Sequence, residues 1–68
     1  MPLSARNQLA GVVEDIKIGD IMAHVSVRVG ENVIESVITR TSAEDLGLEK
    51  GDPVRVVVKS TEVMIQKD

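Results

Sequence analysis

The chain has 68 residues, a formal net charge of −3, no cysteine and no aromatic residue. That length predicts a single domain over residues 1–68, and the missing thiols exclude a disulfide framework or a thiolate metal site. Small barrels that bind nucleic acid stack bases on aromatic rings and attract phosphates with basic charge; this chain has neither, so no nucleic-acid partner is expected.

Hydrophobic residues make up 43% of the chain, generous for a domain whose small size makes it marginal alone. Small scaffolds without staples often stabilise themselves by oligomerising, so sister subunits are expected to cover part of the apolar surface. No apolar run approaches the ~20 residues of a membrane span. Met1-Pro2-Leu3-Ser4-Ala5-Arg6 lacks the apolar core of a secretory signal. A cytoplasmic protein with no membrane partner is the expectation.

Residues 9–18 read as a first strand, with Gly11 as a bulge or a point of close approach. Gly19-Asp20 is a turn. In the second strand Ile21, Ala23, Val25, Val27 and Val29 share one face, and Met22, His24, Ser26 and Arg28 the other, a clean period of two. Gly30-Glu31-Asn32 is a short hairpin connection. In the third strand, residues 33–39, Val33 and Val37 oppose Ile34 and Ile38, which predicts burial on both faces.

Thr41-Ser42-Ala43-Glu44 has the form of a capping box, with Thr41 or Ser42 as N-cap and acids in the first turn. A short helix over residues 42–46 would then stop at Gly47. Lys50-Gly51-Asp52-Pro53 is a turn, and Val54, Val56 and Val58 make the inner face of a fourth strand. Val63 and Ile65 suggest a short fifth. The expected fold is all-β with one short helix: a small OB-like Greek-key barrel of five strands.

Catalytic candidates are few, and no enzymatic activity is expected. His24 is the sole histidine, on the polar face of its strand, and reads as a surface or interface residue. Glu14 and Asp15 are neighbours on a strand and point to opposite faces. Glu44 and Asp45 read as a solvated helix start. No serine stands in a nucleophile elbow, and Gly51-Asp52-Pro53 is too short for a phosphate loop.

What remains is a set of hydrogen-bond donors. Ser4, Arg6, Asn7 and Gln8 precede the first strand, and Lys59, Ser60 and Thr61 follow the fourth. Thr39, Arg40, Thr41 and Ser42 cluster where the helix begins. Hydroxyls, amides, guanidinium and ammonium groups donate to a tetrahedral anion, whereas a carboxylate repels one. Only Glu62 offends, and on an extended chain it can point away. Taken singly these groups are caps, turns and surface charges; as a set they suit an oxyanion.

The paired segments Ser4-Ala5-Arg6-Asn7-Gln8-Leu9 and Lys59-Ser60-Thr61-Glu62-Val63-Met64-Ile65 resemble the signature of the molbindins, small molybdate-binding proteins of the Mop (TOBE-type) family. The resemblance covers essentially the whole chain. It implies an OB-like barrel that assembles as a homo-hexamer, a trimer of dimers, with oxyanions at subunit interfaces. Carried over by motif, one site takes Ser4 and Arg6 with Lys59 and Ser60, and Thr39 and Ser42 from a neighbouring subunit. Ala5 and Asn7 contribute through backbone or amide groups.

The ligand implied is molybdate or tungstate, with molybdenum present only within the oxyanion and no organic cofactor. Relatives of the module occur inside molybdate-responsive regulators and transporter ATPases; standing alone, it is expected to serve storage and homeostasis of the anion. Two alternatives stay open: an oligomeric β-barrel interaction module without ligand, and binding of the molybdenum cofactor, a pterin. The want of aromatic rings to stack a pterin argues against the latter.

Overall fold

A computed structural model describes residues 6–68. Four strands, β1 (Asn7–Ile18), β2 (Met22–Val29), β3 (Asn32–Thr39) and β4 (Pro53–Val58), form one antiparallel sheet, with a helix α1 (Arg40–Leu46) between β3 and β4. The strand order is β3-β2-β1-β4. Three strands joined in sequence, with the fourth returning beside the first, are a Greek key. The expected fold class is therefore present.

β1 is shared between two pairings. Its first half pairs with β4, from Asn7 opposite Val58 to Val12 opposite Pro53. Its second half pairs with β2, from Val12 opposite Arg28 to Ile18 opposite Ala23. Gly11 lies at the change-over and has no room for a side chain: a Cβ there would stand 2.5 Å from the Arg28 carbonyl oxygen and 2.8 Å from Val27. Gly11 is thus the predicted point of close approach. The bulge falls further on, between Val13 and Asp15, where the register slips by one residue. Just before it, the Val13 N–H donates to the Asp52 carbonyl at 2.9 Å, and the Gly51 N–H donates to the Val13 carbonyl at 2.8 Å. The loop ahead of β4 is so fastened to the middle of β1.

β2 keeps its alternation. Ala23, Val25 and Val27 are buried while His24 and Arg28 are exposed. The hairpin to β3 turns on Gly30, at a φ of 62°, the conformation a two-residue type II′ connection demands of its first residue. β3 departs from expectation. Ile34 and Ile38 are half-buried, but Val33 and Val37 remain 42% and 63% exposed. The expected burial on both faces is not met: only the Ile34 and Ile38 face is covered within this chain.

The helix begins two residues earlier than its capping-box reading implied. Thr39, not Thr41 or Ser42, is the N-cap: its Oγ1 accepts from the Ser42 N–H at 3.1 Å. Glu44 consequently lies beyond the first turn and pairs with Arg40 at 3.2 Å. Gly47 ends the helix as expected, at a φ of 62°. Its N–H donates to the Glu44 carbonyl and the Leu48 N–H to the Ala43 carbonyl, the paired bonds of a Schellman cap. Only Ala43 of the helix is buried.

The fifth strand does not form. Ser60–Glu62 make a single 3-10 turn, and the residues after it carry no regular structure, with Val63, Met64 and Ile65 exposed by 46%, 93% and 89%. Without it the barrel stays open between β3 and β4. The core is correspondingly one-sided: Val13, Val25 and Val27 are buried, with Ile16, Val29, Ile38, Leu48, Val54 and Val56 packed against them.

Gly11→Ala is expected to destabilise the folded protein by about 1–3 kcal/mol, because the new methyl meets backbone that must shift. The urea midpoint of unfolding checks this, and an unchanged midpoint would show the crossing to be looser than its geometry.

Candidate functional site

The sheet register brings the two ends of the chain together. Asn7 pairs with Val58, so Arg6, one residue before, and Lys59, one residue after, stand at the same end of the β1–β4 ribbon. An open groove of about 610 Å³ lies there, lined by Arg6, Asn7, Gln8, Leu9, Val58 and Val63. Lys59 is extended and leads directly into the 3-10 turn that carries Ser60 and Thr61. Of the expected site residues, Arg6, Asn7, Lys59 and Ser60 thus share one end of the molecule. Ser4 and Ala5 lie outside the described residues.

The groove carries uncompensated positive charge. Among the described residues the ion pairs are His24 with Glu35, Arg28 with Glu14 and Arg40 with Glu44; Arg6 and Lys59 belong to none of them. Glu62, the carboxylate nearest in sequence to Lys59, is exposed on the 3-10 turn.

Thr39 and Ser42 are elsewhere. Thr39 closes β3 opposite Met22, and the Arg40 N–H donates to the Ile21 carbonyl at 2.7 Å. This is the end of the sheet where Ile18 of β1 meets Ala23. From Asn7 to Ile18, β1 runs a contour of roughly 36 Å at about 3.3 Å per residue. A single chain therefore holds the two donor groups at opposite ends of its longest strand.

The Thr39 and Ser42 hydroxyls do more than cap. Thr39 Oγ1 accepts from the Ser42 N–H and its own proton goes to Ser42 Oγ at 2.8 Å. Ser42 Oγ therefore keeps its proton for an outside acceptor. Both residues are exposed.

One neighbour of the groove was not among the expected site residues. Arg55 on β4, opposite Ala10, reaches along the ribbon to donate to Gln8 Oε1 at 3.2 Å. The signal was available in principle, since antiparallel strands place residues two apart on the same face within reach of a long side chain, but it needed the register. His24 is held by Glu35 at 3.2 Å on the outer face of β2 and β3 and takes no part in the groove. Among the described residues no three His, Cys, Asp or Glu side chains gather as a metal site. No helix among them is long and apolar enough to cross a membrane.

A family model, the TOBE domain, matches residues 3–65. The chain belongs to the TOBE family. This TOBE domain is 47% identical over 66 residues to molybdenum-pterin-binding protein 1 of Clostridium pasteurianum, an alignment covering 96% of this chain and 97% of that one. Among solved structures it matches a molybdate-binding protein from Sporomusa ovata with a TM-score of 0.95 and 36% identity, over 98% of this chain and 100% of that one. It also matches ModG, described as a cytoplasmic molybdate-binding protein and solved with molybdate bound, with a TM-score of 0.83 and 38% identity, over 88% of this chain and 43% of that one. The molbindin resemblance read from the two end segments is borne out.

Thr39→Ala removes both the cap and its bond to Ser42. It is expected to cost about 1 kcal/mol of stability, and Thr39→Ser to restore most of it. Thermal unfolding of the two variants beside the parent checks this, and equal losses would point to the methyl group rather than the hydroxyl.

Proposed function

We propose that this TOBE domain binds molybdate or tungstate as an intact tetrahedral dianion, at sites shared between copies of a homo-oligomer, as a cytoplasmic store that buffers the anion. The single observation that carries the reading is the division of the donors. Arg6, Asn7, Lys59 and Ser60 stand at one end of β1, and Thr39 and Ser42 at the other. A dianion taken out of water needs several directed donors or its desolvation is not offset. Neither half offers a full shell, and a second copy presenting its opposite end supplies the rest.

The roles follow from the chemistry. Arg6 and Lys59 balance the two negative charges. The Ser60 hydroxyl and the spare proton of Ser42 donate to oxygens; Ser4, Ala5 and Asn7 add hydroxyl, backbone and amide donors. Thr39 fixes Ser42 rather than facing the anion. The assembly we favour is a hexamer built as a trimer of dimers. The exposed apolar side chains of Val37, Val57, Met64 and Ile65 are consistent with subunit contacts. Molybdate-binding in the solved relatives supports the ligand, and the cytoplasmic setting of ModG supports the compartment.

The name of the Clostridium relative couples molybdenum to a pterin. A pterin ring is held by stacking, and this chain has no aromatic residue to stack it. Binding of the bare anion therefore suits these residues better.

Arg6→Ala and Lys59→Ala are each expected to weaken molybdate binding about 10–100-fold with the fold intact, the range set by loss of one charge-assisted hydrogen bond. Isothermal titration calorimetry measures it; affinity equal to the parent would remove that residue from the site. Molybdate at about 100 times its Kd should also stabilise the folded oligomer by about 2.7 kcal/mol per site, seen as a higher melting temperature. Native mass spectrometry with molybdate and then excess sulfate reads stoichiometry and selectivity together: a hexamer retaining discrete molybdate masses supports the proposal, and an oligomer that gains none defeats it.

A further inference from the structure

Gln8 is the one donor of the first segment that the proposed anion site leaves without a role. It lines the groove at the Arg6 end of the sheet, and its side chain carries two opposite groups. The amide nitrogen donates to an oxyanion; the amide oxygen beside it is an acceptor and repels one. Which of the two an anion meets depends on what holds the side chain.

Arg55 holds it. Ala10 pairs with Arg55 and Gln8 with Val57, so Gln8 and Arg55 stand on one face of the ribbon, two residues apart along it. Arg55 Nη1 donates to Gln8 Oε1 at 3.2 Å. A guanidinium has no acceptor, so the atom that faces it must be the amide oxygen, and chemistry fixes which end of the Gln8 amide is which. The same bond carries the charge of Arg55 towards the Arg6 end of the ribbon. Arg6, two residues before Gln8, is within about 7 Å of it along the chain, inside the Debye length of about 8 Å at physiological salt. Nothing nearby in these strands cancels that charge. β4 and residues 7–12 of β1 contain no Asp or Glu, in a chain that has eleven. Arg55 belongs to none of the ion pairs among the described residues, whereas Arg28 on β2 is held by Glu14.

We propose that Arg55 is a positioning residue of the anion site: it binds the Gln8 amide oxygen and keeps it from the dianion, and it adds a third positive charge to those of Arg6 and Lys59 without touching the anion. This inference rests on the proposed anion binding. Without Arg55 the Gln8 amide is released to rotate, and its oxygen turns into the groove as readily as its nitrogen. Lysine at position 55 keeps the charge but not the hold, because an ammonium on a flexible stem lacks the planar fork of a guanidinium. Charge and positioning are therefore separable.

Calorimetric titration of the full chain with molybdate tests this on Arg55→Ala, Arg55→Lys, Gln8→Met and the double variant Arg55→Ala with Gln8→Met. Arg55 is exposed, so its replacement is expected to leave thermal unfolding without anion unchanged. Affinity is expected to fall about 10-fold in Arg55→Ala and about 3-fold in Arg55→Lys, the scale of a lost hydrogen bond and a screened charge. Methionine removes the oxygen that Arg55 restrains. In the Gln8→Met background Arg55→Ala is therefore expected to cost only about 2-fold, the part due to charge, and that part should vanish at about 0.5 M sodium chloride. Affinity in Arg55→Ala equal to the parent overturns the proposal. So does an equal loss with and without the Gln8 amide, since Arg55 would then act by charge alone. A parent that binds no molybdate defeats the anion reading and this inference with it; a parent that binds, with no Arg55 effect or one indifferent to Gln8, refutes this inference alone.

Discussion

β1 belongs to two strand pairs at once, and every other placement in the molecule follows from that. Its first six residues pair with β4 and the remainder with β2. A strand shared in this way must turn sharply past its neighbour. Gly11 makes the turn possible, since any side chain there would occupy the space of the Arg28 carbonyl. The bulge after Val13 then returns the strand to register and frees Val13 to bind the loop at Gly51 and Asp52. Arg6 and Lys59, 53 positions apart in sequence, are brought to the same end of the sheet through the pairing of Asn7 with Val58.

The same constraint sends the other donors away. Thr39 is carried by β3, β3 by β2, and β2 meets only the far half of β1. A twelve-residue strand in a domain this small leaves its two ends too far apart to serve one ligand. It also leaves the sheet without the strands to close on itself, so the core has one covered side and the apolar face of β3 is left to solvent. An incomplete core and a divided set of donors are two consequences of one topology, and the proposed second copy would meet both.

Much of this was legible in the sequence. The alternation from Ala23 to Val27 marks the buried face of β2, although Ile21, expected on that face, lies outside the strand and is 75% exposed, and Gly47 marks the helix end because a left-handed residue is required there. The helix start was misread because three hydroxyl residues, Thr39, Thr41 and Ser42, compete for one capping role; what decided among them was the end of β3, where the Arg40 N–H is held by Ile21, a contact between distant residues. The apolar pattern of Val33 and Val37 predicts burial on both faces of β3, and that of Val63 and Ile65 a short fifth strand, but Val33 and Val37 stay 42% and 63% exposed and no fifth strand forms among the described residues. Periodicity reports that a face is apolar and not what lies against it. For the site, the residue types and their grouping at the two ends were plain in the sequence. That Arg6 and Lys59 stand at one end of the β1–β4 ribbon, and that Thr39 is spent on holding Ser42, required the register and the hydrogen bonds.

Dividing an anion site between copies has a thermodynamic consequence. An anion that contacts two subunits stabilises their association by the free energy of the contacts it adds, and association raises anion affinity by the same amount. Subunits already associated would present a half-formed shell, leaving less ordering to be done when the anion arrives. The charge balance favours the same arrangement. A chain with a net charge of −3 disfavours a dianion overall, and Arg6 with Lys59, outside the ion pairs of the described residues, makes a local exception. Discrimination then falls to geometry. Sulfate, molybdate and tungstate carry the same charge and shape, so charge cannot separate them; a rigid ring of donors spaced for the larger ions would leave sulfate with long, weak hydrogen bonds.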